Sequence, residues 1–579
     1  MLKQYLPFLT WLPQYNRATL SADLVAAAIV TILMIPQSLA YAFLAGLPAE
    51  MGLYASILPL VAYCLFGTSR TLSVGPAAII ALMSAAGAST IATPGSPEFI
   101  TASIALAFLS GLILCLMGLL RLGFMANFLS HPVISGFVTA SAIIIAVGQL
   151  GALLGIQVSG TNLPAMIHGL ILELPNLHLP TLAVGSAALA ILLWCRRWLA
   201  RTLIRLGLSG KTAALLAKTG PILAVIITSL AVWWLELSEA GVKVVGEFDG
   251  SLPGLVLPAV DLELWKALLV PALLISLVGF VESVSMAQTL AAKRRQRIDP
   301  DQELIGLGAA NLGAAISCGF SVTGSFSRSV VNFDAGAETP AAGAFAAVGV
   351  ALAILFLAPL MALLPQTTLA ATIIVAILSL VDIAGIKRYW SYSKKDFFAL
   401  MGTLAITLLV SIEVGILSGI GLSLALYLYQ TSRPHTAVVG QIPGTEHFRN
   451  INRHQVETDP HILLFRIDEG LFFANSRFLE DRLYTLVFQN PNLTDMVLIC
   501  SAINYIDGSA LESLEAINQR LKDSGVRLHL SEVKGPVMDR LQRTSFPEHL
   551  SGEIFLTTYG AWRTLRERSA NANREERST

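Results

Sequence analysis

A polar, arginine-bearing stretch lies between two long apolar tracts of this chain. It covers residues 321–332 and reads Ser-Val-Thr-Gly-Ser-Phe-Ser-Arg-Ser-Val-Val-Asn, and the apolar tracts cover residues 304–318 and 341–364. In water such a stretch would be an ordinary loop, but a charge at membrane depth is costly and marks a functional site by default. Arg328 is therefore the first candidate for chemistry.

A second short segment, residues 71–78, reads Thr-Leu-Ser-Val-Gly-Pro-Ala-Ala. Pro76 suits the first position of a helix, because its missing N–H is not needed there. Gly75, Pro76 and Ala77 should therefore form the beginning of a short helix over residues 75–83. An extended stretch before Pro76 would place the start of this helix at the centre of the bilayer.

The arginine-bearing stretch predicts a matching short helix over residues 326–331. Ser325 or Ser327 would cap a helix that begins near Phe326, and this helix would also begin at mid-membrane. The amino end of a helix carries roughly +0.5 of a charge. Two such ends facing each other, together with Arg328, give a local charge of about +2, which suits a small anion.

Two simpler roles compete with anion binding at this place. Arg328 would instead form an interhelical ion pair if Asp334 or Glu338 lay close to it. The hydroxyl groups of Thr323, Ser325 and Ser327 would serve only as helix caps or as interhelical hydrogen-bonding groups. The sequence leaves both alternatives open.

The first apolar run contains a polar interruption, Pro36-Gln-Ser-Leu-Ala-Tyr41. Gln37 and Tyr41 are four residues apart, so on a helix they share one face. We expect this face to form the lid of the anion site. The alternative is a proline kink whose polar neighbours satisfy the freed backbone groups.

Glu282 is an isolated carboxyl group within the apolar run of residues 268–286. A carboxyl group in a membrane span can take up and release a proton during transport. With Glu282 protonated the site stays near about +2 and matches a divalent anion, whereas ionised Glu282 lowers it to about +1. Symport of a proton with a dianion follows as a hypothesis. The alternative is a structural carboxyl group hydrogen-bonded to Ser283, Ser285 or Gln288.

The composition requires a membrane to hold these residues. Of 579 residues, 54% are hydrophobic and 13% are charged, and mean hydropathy is +0.68. Soluble proteins carry about a quarter charged residues, so we predict an α-helical polytopic membrane protein. The net charge of zero gives no basis for a nucleic-acid partner.

Apolar runs long enough to span a bilayer, or nearly so, recur along the chain. They cover residues 24–46, 53–66, 100–120, 133–154, 182–194, 221–234, 268–286, 304–318, 341–364, 369–381, 397–410 and 414–429. With the two short helices they make about fourteen segments. A seven-plus-seven arrangement inverts the second half in the membrane, and paired interrupted helices in inverted repeats point to a transport site at the midplane.

Basic residues concentrate in alternate loops, at Arg70, Arg121 and residues 196–218, 293–297 and 387–395, whereas the intervening loops are mostly acidic. This positive-inside pattern predicts that both termini are cytoplasmic. The first apolar run is of span length and lacks a cleavage-site pattern, so we expect no cleavable signal peptide.

Several other chemistries find no support in the sequence. The five cysteines are scattered without a CxxC pair, and the histidines lack metal-ligand spacing, so we expect no metal site and no disulfide framework. No P-loop is present, so ATP-driven pumping within this chain is not expected. We predict a protein that is not an enzyme and has no cofactor.

After Arg433-Pro434 the chain reads as a soluble α/β unit. Strands are predicted at residues 462–467, 496–500 and 526–530, and helices at residues 476–488, 509–522 and 537–544, an alternation typical of one small layered domain. We assign the boundaries as a cytoplasmic segment 1–20, a transmembrane domain 21–432, a soluble domain 433–562 and a charged, flexible tail 563–579. Within the transmembrane domain the two repeats cover residues 21–240 and 260–432.

Six motifs together resemble the SulP sulfate-permease family, of the bacterial and plant type. They are Ile35-Pro-Gln-Ser-Leu-Ala-Tyr-Ala, Gly52-Leu-Tyr-Ala, Phe66-Gly-Thr-Ser-Arg, Ser73-Val-Gly-Pro, Glu282-Ser-Val-Ser-Met-Ala and Thr323-Gly-Ser-Phe-Ser-Arg-Ser-Val-Val-Asn. The soluble unit is similar to a STAS domain, and Asp507-Gly-Ser509 resembles its Asp-x-Ser segment. One departure is Met51, where the family usually has Tyr.

The resemblance implies a core domain and a gate domain, with the core moving past the gate as an elevator. It implies an anion bound between segments three and ten, Glu282 as the coupling group, a homodimer in a bacterial inner membrane, contact with membrane lipid, and a cytoplasmic protein partner at the STAS domain. Ser509 matches a serine that is phosphorylated in related anti-sigma antagonists, although Ser509-Ala-Leu-Glu512 also predicts a capping box.

The leading hypothesis is a secondary transporter that takes up sulfate together with protons. One alternative is a symporter that couples bicarbonate to Na⁺, since the family also includes bicarbonate, chloride and dicarboxylate transporters. Another is an uncoupled anion channel or sensor that signals through the STAS domain.

Overall fold

The computed structural model describes residues 5–128, 130–158, 160, 162–248, 250–258 and 261–578. Residues 1–4 of the predicted N-terminal segment, with Lys3, and residue 579 of the predicted tail lie outside the described residues. The chain divides into two compact units, Met1–Ser423 and Leu424–Thr579.

The first half of the first unit is helical, with one very short strand. Its elements are α1 (Phe8–Trp11), α2 (Arg17–Leu44), α3 (Ala49–Tyr54), α4 (Leu58–Phe66), β1 (Val74–Gly75), α5 (Ala78–Ser89), α6 (Pro97–Leu119), α7 (His131–Leu154), α8 (Leu163–Glu173), α9 (Leu179–Trp194), α10 (Ala200–Arg205), α11 (Gly210–Ala217) and α12 (Gly220–Trp234).

The second half is also helical, again with one very short strand. Its elements are α13 (Leu262–Lys293), α14 (Pro300–Ile316), β2 (Thr323–Gly324), α15 (Phe326–Ala335), α16 (Ala341–Ala362), α17 (Gln366–Ile377), α18 (Ile383–Tyr392), α19 (Lys394–Leu409) and α20 (Ile412–Ser432). The last helix crosses the boundary between the two units.

Within the described residues, eight helical stretches are long and apolar enough to cross a membrane, if residues 49–66 (α3 and α4) and 179–205 (α9 to α10) each count as one stretch; three more helices are apolar but shorter. The shorter three are α5, α12 and α17. Together with α14, α15 and α19 they account for each of the predicted segments. The polytopic helical class predicted from composition is thus the class observed.

Polar caps set the starts of the long helices. Asn16 accepts hydrogen bonds from the N–H groups of Ala18 and Thr19 at the start of α2, and Asp261 and Asp299 cap α13 and α14 in the same way. Because these caps precede the apolar runs, the three helices begin earlier than hydropathy predicts. The start of α2 therefore lies within the segment 1–20 that we placed outside the transmembrane domain.

The two short half-helices are joined by a strand pair that the sequence analysis did not predict. β1 and β2 are antiparallel, with Val74 opposite Gly324 and Gly75 opposite Thr323. The N–H of Ser325 donates to the carbonyl of Ser73 at 3.0 Å and extends this pairing to the start of α15. The amino ends of α5 and α15 are consequently held next to each other.

The second unit contains a six-stranded sheet of order β4-β3-β5-β6-β7-β8. Its elements are β3 (Thr436–Gln441), β4 (Phe448–Asn450), β5 (Ile462–Ile467), α21 (Ser476–Gln489), β6 (Asp495–Ile499), α22 (Gly508–Asp523), β7 (Arg527–Ser531), α23 (Gly535–Leu541), α24 (Phe546–His549), β8 (Ile554–Phe555) and α25 (Thr558–Ser578). Strands β5 to β8 are parallel, and β3 is antiparallel to β4 and β5. The three predicted strands and three predicted helices are confirmed, whereas β3, β4 and β8 were missed.

The end of the chain differs from our prediction of a flexible tail over residues 563–579. The structure continues α25 to Ser578, and Trp562 and Leu565 are buried against the sheet. The indole N–H of Trp562 donates to the amide oxygen of Gln441 at 2.7 Å, and Arg566 forms an ion pair with Glu457 at 3.1 Å. The charged composition of residues 563–579 led to the prediction of a flexible tail, because the few buried or paired side chains cannot be recognised in the sequence.

Candidate anion-binding site

Arg328 lies in the first turn of α15, and its side chain is completely buried. Its Nη1 donates to the amide oxygen of Gln37 over a long 3.4 Å. Nε and Nη2 are buried and have no hydrogen-bond partner among the described residues. A buried guanidinium normally has its donors satisfied, because an unpaired buried charge is costly. A ligand with several oxygen acceptors would supply the missing partners.

The ion-pair alternative for Arg328 is wrong. Asp334 forms an ion pair with Lys218 instead. Glu338 accepts a hydrogen bond from the hydroxyl of Thr19 at 3.0 Å. Both carboxylates are thus engaged elsewhere, and the positive charge of Arg328 remains available to a ligand.

Gly75 brings the backbone of β1 close to the guanidinium. A Cβ at this position would lie 3.2 Å from Nη2 of Arg328, and the φ of Gly75 is +152°, which L side chains rarely adopt. The Pro76 prediction needs correction, because Ala77 is the N-cap of α5 and the helix begins at Ala78. Pro76 thus precedes the cap, where its fixed φ stiffens the extended entry to the helix.

The cap prediction for α15 is only half right. Ser325 occupies the N-cap position, but its side chain makes no capping hydrogen bond. Its Oγ lies 3.4 Å from Oγ of Ser327. Neither hydroxyl is therefore committed to the helix backbone, and both are free to bind a ligand at the start of the helix.

A cavity of about 40 Å³ lies beside these groups. It is larger than the roughly 10–15 Å³ that one water needs. The predicted residues that line it are Tyr41, Ala77, Glu282, Ser325, Phe326 and Ser327. Gln37, Gly75 and Arg328 do not line the cavity; Gln37 and Gly75 each lie next to the guanidinium of Arg328.

The opposite wall of the cavity comes from α17 and the turn that follows it. Ala376, Ile377 and Leu380 form this apolar wall. These residues were not predicted, because they have no polar group or motif that distinguishes them from the end of any other apolar helix. Their position relative to α15 depends on tertiary packing alone.

Glu282 projects from α13 to the same cavity. Its Oε2 is buried and has no hydrogen-bond partner within the described part of the chain. The alternative of a carboxyl group bonded to neighbouring serines is wrong for Ser283, whose Oγ lies 2.8 Å from that of Thr323 and accepts the N–H of Gly324 at 2.9 Å. No hydrogen bond joins Glu282 to Ser285 or Gln288 either, both of which the structure describes. The cavity lining thus includes a carboxyl oxygen without a partner, whereas the two partnerless nitrogens of Arg328 belong to the residue that follows Ser327 of the lining.

Ser509 lies far along the chain, in the soluble unit, and its side chain is exposed in the first turn of α22. The capping-box prediction is wrong, since Asp507 caps α22 by accepting the N–H of Ala510 at 2.8 Å. Asp507 also accepts the N–H of Phe473 at 2.9 Å. The cap is therefore the aspartate of the Asp-Gly-Ser segment.

Fold and site together define a polytopic transporter with paired half-helices at a buried cationic site and a C-terminal α/β domain. The Sulfate permease family matches residues 20–403, and the STAS domain matches residues 453–561. The chain therefore belongs to the sulfate permease family, whose members are anion transporters, and carries a C-terminal STAS domain.

Individual relatives agree with this assignment. The chain is 34% identical to Sulfate transporter 4.1, chloroplastic, of Arabidopsis thaliana over 95% of this chain and 80% of that protein. It is 31% identical to Probable sulfate transporter MT1781 of Mycobacterium tuberculosis over 96% of this chain and 97% of that protein.

Two solved structures have a similar fold. The murine anion transporter Slc26a9 in its inward-facing state superimposes with a TM-score of 0.88 at 21% identity, over 97% of this chain and 94% of that chain. The transmembrane domain of the cyanobacterial bicarbonate transporter BicA gives a TM-score of 0.58 at 20% identity, over 71% of this chain and 98% of that chain.

Proposed function

We propose that this protein takes up sulfate together with protons by an elevator-type mechanism. The observation that carries the proposal is the buried guanidinium of Arg328, with two unpaired nitrogens at the facing amino ends of α5 and α15. Arginine binds tetrahedral oxyanions well because its planar donors match pairs of oxygen atoms. The names of the relatives, which are sulfate transporters, favour sulfate among the small inorganic anions.

Protons are the proposed coupling ion. Glu282 lines the cavity with one carboxyl oxygen that has no partner, and Arg328, which follows the lining residue Ser327, has two nitrogens that have none among the residues described. An ionised Glu282 would cancel part of the charge that attracts sulfate, so a proton on Glu282 and a dianion at Arg328 favour each other's binding. The coupled species would then cross the membrane together.

The proposed elevator-type movement rests on two kinds of contact around the site, hydrogen bonds in one group of elements and apolar packing in another. Hydrogen bonds join β2 to α13, where the N–H of Gly324 donates to Oγ of Ser283 at 2.9 Å, and join the residue before β1 to α15, where the N–H of Ser73 donates to Oγ of Ser329 at 2.9 Å. Apolar packing joins α9, α12 and α17 through Ala188, Ala224 and Ala371. The first group would move as the core, and its site would slide past the apolar wall of the second group, the gate.

The localisation and assembly belong to the same proposal. Because basic residues concentrate in alternate loops, we place both termini on the cytoplasmic side of a bacterial inner membrane. We expect a homodimer in contact with membrane lipid, and a cytoplasmic protein partner for the STAS domain.

Uptake of radiolabelled sulfate into proteoliposomes tests this function. An inward proton gradient should drive accumulation in the wild type, and Arg328→Gln should reduce initial uptake by at least about tenfold, since a charge-assisted contact contributes roughly 1.5–3 kcal/mol. Arg201→Gln is the matched control, because it removes an exposed arginine of α10. Uptake by this control should equal that of the wild type.

Substitution of the driving ion separates the alternatives. Accumulation of labelled bicarbonate under an inward Na⁺ gradient, without sulfate competition, would replace the proposal with a Na⁺–bicarbonate symporter. Fast, non-saturating anion flux without accumulation would replace it with a channel.

A further inference from the structure

A second cavity, larger than that at the anion site, lies between the N-terminal segment and two basic loops. Its volume is about 450 Å³, and its lining includes Trp11, Thr68, Arg70, Gln296, Arg297 and Gln302. A volume in the range of roughly 300–1,000 Å³ is typical of small-molecule sites. The cavity is built entirely within the first unit.

Fixed backbone contacts shape this cavity. The side-chain amide of Gln302 donates to the carbonyl of Phe66 at 2.7 Å and to that of Tyr5 at 3.2 Å, and so ties the N-terminal segment to the loop after α4. Glu303 is completely buried and accepts the N–H groups of Thr68 and Ser69 at 2.7 and 2.9 Å. Glu303 therefore fixes the loop that carries Arg70.

The charge of the cavity is not balanced from within it. Arg70 and Arg297 are exposed, and neither forms a hydrogen bond or ion pair with any residue that the structure describes. The one carboxylate of the lining, Asp299, accepts the N–H groups of Asp301 and Gln302 as the cap of α14. The lining therefore holds two guanidinium groups against one carboxylate that is already hydrogen-bonded, and an excess of positive charge remains for an anion.

Trp11 adds a donor without a partner. Its indole Nε1 is buried and lacks an acceptor among the described residues. A buried N–H is normally hydrogen-bonded. A ligand oxygen that reached the indole N–H would supply the missing acceptor.

We propose that this cavity binds an organic phosphate, with the phosphate group between Arg70 and Arg297 and an oxygen within reach of the Trp11 N–H. Two guanidinium groups match phosphate oxygens bidentately. The cavity is about ten times the volume of the cavity at the anion site, so the ligand carries more than the oxyanion. The headgroup of an anionic phospholipid and a soluble phosphate ester share this chemistry.

Calorimetric titration of the full-length protein in detergent tests the proposal with three probes, each used separately. They are dioctanoyl phosphatidylglycerol, glycerol 3-phosphate and inorganic phosphate. One of the two organic phosphates should bind, and which one binds identifies the lipid or the soluble source. Inorganic phosphate should bind at least about tenfold more weakly, a difference that corresponds to about 1.4 kcal/mol.

The variants locate the site. Arg70→Gln combined with Arg297→Gln should weaken binding by more than about tenfold, and Trp11→Phe by a few fold, since each removes hydrogen bonds to a charged group. Arg17→Gln is the control, because Arg17 is exposed and lies outside the cavity lining. An unchanged thermal unfolding temperature shows that the variants fold.

The proposal is overturned if neither organic phosphate binds the wild type, if the double variant binds as tightly as Arg17→Gln, or if inorganic phosphate binds as tightly as the organic phosphates. None of these outcomes bears on sulfate uptake through Arg328, because the two sites share no lining residue.

Discussion

At the scale of single residues, the two buried charges differ in what each should do for transport. Arg328 would hold the anion, and Glu282 would carry the proton. Glu282→Gln keeps the size and polarity of the side chain but cannot lose or gain a proton. We therefore expect the variant to exchange sulfate across the membrane at a rate near that of the wild type, while an inward proton gradient no longer accelerates its uptake.

Paired measurements check this expectation. Sulfate counterflow without a gradient and sulfate uptake with a gradient are compared for the wild type and Glu282→Gln in the same vesicles. The control is Glu263→Gln, which removes an exposed carboxylate from the first turn of the same helix, α13. Gradient-driven uptake that persists in Glu282→Gln would disprove the coupling role while leaving the anion site intact.

Gly75 should tolerate no side chain. An alanine would need the strained φ of +152° and would press against Nη2 of Arg328 at 3.2 Å. Strain of this kind costs roughly 1–3 kcal/mol. We expect Gly75→Ala to lower sulfate affinity by about tenfold or more in a binding titration, whereas Gly421→Ala on α20, where φ is not positive and a Cβ would meet no atom within 4 Å, should bind sulfate normally.

At the scale of elements, hydropathy predicted the helices and the two half-helices, but not what joins them. A span of apolar residues is a strong signal because the bilayer sets its length. β1 and β2 are too short to give a pattern, and their pairing depends on residues far apart in the chain. The roles of Pro76 and Ser325 were misjudged for the same reason, since a helix end is fixed by its three-dimensional contacts.

The sheet of the STAS domain contains a polar cluster that makes its stability depend on pH. Asp495 on β6 lies 2.9 Å from Nε2 of the buried His529 and 2.8 Å from Nη2 of Arg527, both on β7. Burial alone would raise the pKa of Asp495, but these hydrogen bonds lower it to about 2. Because the folded pKa lies below the ordinary value of about 3.9, the stabilisation is complete above about pH 4 and is lost as the pH falls towards about 2.

Asp495→Asn should therefore destabilise the STAS domain by roughly 1–3 kcal/mol at pH 7. Hydrogen exchange in the full-length protein should show faster exchange in β6 and β7, whereas Asp481→Asn, at an exposed site on α21, should leave exchange unchanged. Thermal unfolding should show the difference between Asp495→Asn and the wild type shrinking as the pH is lowered from about 4 to about 2. A difference that stayed constant over this range would assign the effect to packing instead.

At the scale of the whole molecule, the ion pair between Lys218 and Asp334 links the core group to the gate group past which it is proposed to slide. Lys218 precedes α12, which packs with α17 in the gate group, and Asp334 lies in the last turn of α15 in the core group. If the core slides past the gate, these two residues must separate during each cycle. A covalent link between them should stop transport.

Cysteine cross-linking tests this movement after the five native cysteines have been replaced. Lys218→Cys with Asp334→Cys should lose sulfate uptake on oxidation and recover it on reduction. Thr19→Cys with Glu338→Cys is the matched control, because Thr19 of α2 and Glu338, which follows α15, are hydrogen-bonded at 3.0 Å and neither belongs to a helix of the gate group. Undiminished uptake by the oxidised Lys218–Asp334 pair would rule out a sliding core.

β1 leaves the ribosome long before β2 has been synthesised, because Val74 pairs with Gly324. Lipid cannot satisfy a backbone hydrogen-bonding group. The extended residues of β1 before α5 are therefore unstable in the bilayer while the helices between β1 and β2 are inserted. The site is then completed only when the second repeat arrives and its strand closes against the first. A chain truncated before residue 323 would therefore insert into the membrane without a complete anion site. Its strand β1 would have no partner, and proteases that degrade incompletely folded membrane proteins could recognise it by this unpaired backbone.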